Sequence, residues 1–261
     1  MDFALDDVQV ELKSQARAWL GERYPLDRDW DAPQDDRWAE LGELGWLDVA
    51  DAGLGFVEEA LLLEEMAYAL YPGPYLAHAA GQAEANGLAF DGACDVVSVD
   101  PGRPLRRVAN ASPETPRLRA ALAAEAVGVA QRALELGVAY ARTREQFGKK
   151  IGVYQAVSHQ LANTYADVEL ARSLAYWAAW CVAEADEEAP LAAAAAKAFA
   201  TEAAVAACER SIQVHGGIGF TWEHPLHRFY KRALWLEGFG KRPPELRAEI
   251  ADALLGAAVG V

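Results

Sequence analysis

The 261 residues of this chain include 39 acidic and 24 basic side chains, a formal charge of −15, with 52% hydrophobic and 10% aromatic residues. This composition excludes a disordered chain and opposes phosphate backbones and anionic lipid surfaces, so nucleic acid and membrane are not expected partners. Any anionic ligand has to be met by a local basic cluster. Cys94, Cys181 and Cys208 are too few and too far apart for a disulfide framework or a zinc site; they are read as small core residues, with no metal expected. The opening Met1-Asp-Phe-Ala-Leu-Asp-Asp is acidic without an apolar stretch, no window is read as long enough to span a bilayer, and the expected location is cytoplasmic.

Apolar residues at helical spacing predict a first helix from Leu5 to Leu20, stopped by Gly21. A shorter unit comes next at Trp38 to Trp46, then a helix from Val57 to Leu70, ended by Tyr71-Pro-Gly-Pro, and a fourth from Tyr75 to about Ala85. Residues 1–85 thus read as an amino-terminal helical domain. Between residues 86 and 116 glycines and prolines rise, and Asp95-Val-Val-Ser-Val is the only β-like run, a linker with a vestigial β segment. Residues 117–261 then predict an antiparallel helical bundle: Arg117 to Thr143, Tyr154 to Asp186, Pro190 to Val214, Pro225 to Phe239 and Pro243 to about Leu255. The alanine-rich stretch from Ala189 to Ala207 fits close packing between helices. The predicted class is mostly α.

Two segments carry candidate chemistry. In Arg144-Glu-Gln-Phe-Gly148 a helix ends near Thr143 and Gly148 breaks the pattern, so Arg144, Gln146 and Phe147 project from a helix end and its turn. A guanidinium there can grip a pyrophosphate and a ring can pack on a flat heterocycle, although an arginine at a helix end is structural more often than not. In Gln213-Val-His-Gly216-Gly217-Ile-Gly219 the glycines come after a helix rather than a strand, which excludes a dinucleotide fingerprint. Two readings stay open: a helix stop with its loop, or a loop whose missing Cβ atoms let backbone amides approach a diphosphate. His215, His227 and Arg228 are read as loop or solvated-helix residues, and Glu223 with His224 as an ion-paired loop that caps the helix after Pro225.

Together these segments resemble the carboxy-terminal helical domain of acyl-CoA dehydrogenases. The run from Phe220-Thr-Trp-Glu-His to Ala233-Leu is most similar to the short subunits of actinobacterial heteromeric enzymes that shorten steroid side chains. The resemblance implies FAD as cofactor, with Arg144, Gln146, Phe147, Gln213, Gly216 and Gly217 touching it across a subunit boundary. It also implies α,β-dehydrogenation of an acyl-CoA thioester, in which a shielded carboxylate removes the α-proton.

Neither position of that base in the family is matched. Counting back from Arg144 lands near Leu118, flanked by Arg117 and Arg119, with Glu125 two turns away. The second position falls near Leu236-Glu-Gly-Phe239, which leaves Glu237 as a residual candidate. The family's middle β domain is also missing. The expectation is therefore a heterodimer or α2β2 assembly whose longer chain carries the β domain and the base, passing electrons to an external acceptor. Two other classes compete with it: a flavin-free structural or regulatory subunit, and a ferritin-like carboxylate metalloprotein, which lacks its Glu-x-x-His pairs here.

Overall fold

Residues 4–32, 34–109 and 112–259 are described by a computed structural model. Helix α1 (Asp7–Arg23) is opened by a capping box between Asp6 and Gln9 and runs through Gly21 to Arg23, because burial of Leu20 and Tyr24 holds its last turn. Helix α2 (Trp38–Glu43) stops before Gly45, which sits at φ 74°. Helix α3 (Phe56–Tyr68) starts where the Glu58 carboxylate accepts the Gly55 N–H, and α4 (Tyr75–Ala80) ends at Gly81, φ 62°, sooner than periodicity predicts. The chain then forms a hairpin of β1 (Glu84–Ala85) and β2 (Leu88–Ala89), turned at Asn86 and Gly87, with β3 (Arg106–Arg107) on its other edge. The strand expected at Asp95 to Val99 is reduced to one bridge between Val96 and Leu105. Val97 is 98% exposed, so this run lacks the second buried face that would make it a strand.

The bundle is built from α5 (Pro116–Thr143), α6 (Gln155–Ala183), α7 (Ala189–His215), α8 (Leu226–Gly238) and α9 (Pro243–Val259). Thr115 caps α5 by accepting the Leu118 N–H, and Pro116 fits its first turn. Between α5 and α6 lies a two-residue hairpin, β4 (Glu145–Gln146) paired with β5 (Lys149–Lys150). Small side chains set the close approach of the helices: a Cβ on Gly128 of α5 would collide with the Glu64 carbonyl of α3, and buried alanines run the length of α7. Buried apolar residues from Ala16 to Phe239 form one continuous cluster, and α9 adds a small satellite through Leu246 against Ala194 and Ala198.

Two expectations need correction. Cys181 and Cys208 are buried, but Cys94 is exposed, because the linker that carries it has no second layer over it. One apolar stretch is also long enough to cross a bilayer: Ala189–Phe220 reaches a mean hydropathy of 1.4. Its alanines raise that value, and 67% of the window is buried within the bundle, as in the core helix of a globular fold.

Charges pin the first 109 residues to the bundle. Glu64 of α3 is fully buried and accepts from Lys13 of α1 and from Arg172 and Tyr176 of α6. Glu59 pairs with Arg117, the linker's Arg103 pairs with Glu125 of α5 at 2.5 Å, and Asp100 pairs with Arg232 of α8. The acid two turns into α5, Glu125, is therefore an ion-pair partner in the core.

Candidate cofactor-contact site

The six residues singled out in the sequence gather at one end of the bundle. Tyr140 in the last turn of α5 stacks on His215 at the end of α7, ring centroids 4.3 Å apart, which brings the two motifs side by side. His215 in turn lies 4.4 Å from the ring of His224. This stack was not visible in the sequence. Its only local signal is the pair of rings placed at the closing turns of two long helices.

Arg144 caps α5, its N–H donating to Tyr140 O at 2.8 Å, and its carbonyl accepts from Ile151 at 2.9 Å. The backbone is thereby fixed while the guanidinium is left in solvent. Gln146, Phe147, Lys149 and Lys150 are likewise exposed. Among the described residues, Arg142, Arg144, Lys149 and Lys150 have no carboxylate within ion-pair reach, so this hairpin is a basic cluster on an acidic chain. Phe147 is the outlier. It sits at φ 53° in the turn with Gly148 at φ 78°, a left-handed geometry that costs a bulky side chain about 1–2 kcal/mol, and its ring is 90% exposed. A strained backbone that holds an aromatic ring out in water makes sense if something covers the ring.

On the neighbouring motif, α7 ends at Gly216 with φ 64° and ψ −140°, a combination open essentially to glycine alone. Gly216 and Gly217 are exposed, with no atom near the place a Cβ would occupy, whereas a Cβ on Gly219 would press on the Ile212 carbonyl. The first two glycines leave backbone open toward solvent, and the third permits the loop to fold back on α7. Gln213 is exposed one turn before them. Beyond the loop, Ile218, Phe220 and Trp222 are exposed apolar residues that the sequence reading passed over.

The histidines behave differently from expectation. His215 is buried at the helix end, its Nδ1–H donating to Ser211 O at 2.8 Å, and burial lowers its pKa. His224 is held at about 4 by burial and by the neighbouring His215 and His227, and its Nδ1 accepts the Leu226 N–H, so it does cap α8. Glu223 has no ion-pair partner among the described residues. Nor are His227 and Arg228 a solvated face: the His227 ring packs against Trp222, and the Arg228 guanidinium lies 4.7 Å over Trp30.

Glu237 is half-buried near the end of α8. Burial raises its pKa, Arg242 opposes that, and Glu202 and Glu209 of α7 add to it. Its acidic neighbours are therefore on the flank of α7, roughly 6–16 Å along the helix before Gln213.

Residues 111–240, about half of the chain, match the profile of the acyl-CoA dehydrogenase C-terminal domain, and that span contains both motifs. The chain belongs to the acyl-CoA dehydrogenase family. FAD is the cofactor of that family. Among relatives, acyl-CoA dehydrogenase FadE34 of Mycobacterium tuberculosis is 41% identical over 175 residues, 60% of this chain but only 25% of that protein's length. The fold of this family member follows the Tcur3481-Tcur3483 steroid ACAD G363A variant, with a TM-score of 0.79 at 22% identity over 97% of this chain and 99% of that one. It also follows the ChsE4-ChsE5 complex of Mycobacterium tuberculosis, with a TM-score of 0.75 at 21% identity over 98% and 99%. Those two likenesses establish the mostly α architecture of this acyl-CoA dehydrogenase relative.

Proposed function

We propose that this chain is a subunit of an FAD-dependent acyl-CoA dehydrogenase that completes the flavin site of a longer partner chain. One observation carries the reading: both motifs meet at one end of the bundle, and Arg144, Gln146, Phe147, Gln213, Gly216 and Gly217 all turn outward there. That arrangement fits FAD. Arg144, beside Arg142, Lys149 and Lys150, would hold the diphosphate by charge-assisted hydrogen bonds, with open backbone at Gly216 and Gly217 beneath it. Phe147 would pack against a flat part of the cofactor, and Gln213 would bond to its adenosine half. When bound, FAD accepts the hydride from the β-carbon of the thioester.

The base belongs, in this reading, to the partner, because the acids on either side of the family position are tied up in ion pairs, Glu114 with Lys197 and Arg119 and Glu125 with Arg103. Glu237 is the alternative on this chain, and its raised pKa is the feature in its favour. The reading includes a heterodimer or dimer of heterodimers, located in the cytoplasm and handing electrons to a separate acceptor. A bulky, steroid-like acyl-CoA is the substrate class it favours, on the strength of the likeness to the steroid ACAD and to a second two-component complex.

The test is flavin retention. Co-purified with a partner that carries a β domain, the wild-type complex should hold FAD, and Arg144→Ala should lose most of it without loss of assembly. Equal flavin content in the two complexes overturns the site assignment. Absence of flavin from the chain alone and from the assembled wild-type complex would favour a flavin-free structural or regulatory subunit.

A further inference from the structure

A second basic site lies among residues that neither motif includes. A cavity of about 200 Å³ opens between the loop after α1, the linker and the first two turns of α8, lined among others by Arg28, Trp30, Gln34, Asp100, Arg228 and Arg232. Three cations and one anion in so small a space oppose the chain's overall charge of −15.

The three arginines are not equivalent. Arg232 is 3% exposed and donates through Nε to Asp100, yet its Nη1 has no partner. Arg28 is fixed by backbone carbonyls, donating to Tyr24 and Leu70 at 2.9 and 3.0 Å, and through Nε to Gln34 at 3.1 Å. These contacts orient its guanidinium without neutralising it. Arg228 makes no side-chain hydrogen bond or ion pair among the described residues, and rests on one face of Trp30 while Arg28 rests on the indole at 3.5 Å. Burial and the charges of Arg228 and Arg232 push the Arg28 pKa down to about 10. The acids nearest in sequence, Asp27, Asp29 and Asp31, are exposed and outside ion-pair reach of Arg28 and Arg228.

Folding thus holds three positive groups around a cavity and supplies only one negative group there. An unpaired guanidinium is tolerated at such a place when an anion completes the set. We infer that this cavity is a binding site for a phosphate oxyanion, either free phosphate or the terminal phosphoryl group of a larger ligand. The three guanidinium groups come from two elements, Arg228 and Arg232 from one face of α8 and Arg28 from the loop after α1. A tetrahedral phosphate has acceptors to meet all of them, whereas a planar carboxylate presents two oxygens in one plane. Arg228 is the docking group, since it alone has neither a hydrogen bond nor an ion pair to break. Arg28 and Arg232 supply fixed positive potential.

The test is calorimetric titration of the purified full-length chain at constant ionic strength with inorganic phosphate, with adenosine monophosphate and with acetate. Saturable binding of phosphate, absent with acetate, is expected, and Arg228→Gln should weaken it about tenfold or more. Arg228→Lys should fall between the two, because charge survives but the paired donors are lost. Unfolding temperatures in chloride buffer should match for all three proteins, which separates lost binding from lost fold. Binding of adenosine monophosphate as well assigns the site to a phosphate ester, and binding of phosphate alone assigns it to the free ion. The inference is overturned if phosphate gives no saturable heat, if acetate binds as well, or if both folded variants bind like wild type.

Discussion

The bundle and the region that precedes it are held together by different physics. Between α5 and α7 the contact is made largely by alanine, a side chain with almost no rotamer entropy to lose, and on the other side of α5 the backbone of α3 approaches until no Cβ fits at Gly128. The first 109 residues are instead fastened by buried ion pairs: Glu64 to Lys13 and Arg172, Arg103 to Glu125, Asp100 to Arg232. Small-residue packing gives a rigid frame with little chemistry in it. Buried charge gives a joint that is directional but costly to break, since removing one partner leaves the other without solvent. The end of the bundle that carries the two motifs depends on the first kind of contact, because the spacing of α5 and α7 fixes the distance between them.

The largest effect expected from breaking this contrast is at the joint. Glu125→Ala strands Arg103 in the core and should cost about 3–5 kcal/mol in denaturant unfolding, whereas the double replacement Arg103→Met with Glu125→Leu should recover most of that loss. Recovery by the double variant is the signature of charge rather than packing. Next is the frame: Gly128→Ala forces α3 and α5 apart and should cost about 1–3 kcal/mol, with no partner substitution able to restore it at the Glu64 carbonyl.

A smaller change of opposite sign is expected at the end that carries the two motifs. Phe147→Asn relieves a left-handed phenylalanine and should stabilise the chain by about 1 kcal/mol, while flavin retention by the assembled complex falls. Stability and cofactor retention moving in opposite directions would mark the strain as functional. The mildest effect is acid sensitivity. The folded pKa of His224, about 4, lies below its ordinary value of 6.5, so the folded chain binds fewer protons than the unfolded chain between those values. Stability should be full above pH 6.5 and decline as the pH falls toward 4, since protonating Nδ1 also removes the acceptor for the Leu226 N–H. Thermal unfolding across that range should show a flatter profile for His224→Gln than for wild type.

Much of the frame was legible because its signals are local. Apolar spacing set α1, α3 and α5 to α9 within a few residues, and glycine with positive φ marked the stops at Gly45 and Gly216. The linker was less legible: Asp95 to Val99 has the composition of a strand, but a strand needs a neighbour on each side or a covered face, and Val97 has water. Gly21 read as a stop and was not one, since a glycine ends a helix only where the chain also gains by turning.

The sequence by itself determined a mostly helical chain, the two motifs and their family, because side-chain periodicity and short motifs are encoded within a few turns. Only the tertiary structure decided that Tyr140 and His215 stack to bring those motifs together, and that Glu125 is bound in an ion pair. It alone placed Arg28 and Arg228 on one indole ring around a cavity. These are meetings of residues far apart in the chain. Whether a charge ends in solvent, against a carboxylate or over a ring depends on which helices pack, and no local pattern carries that information.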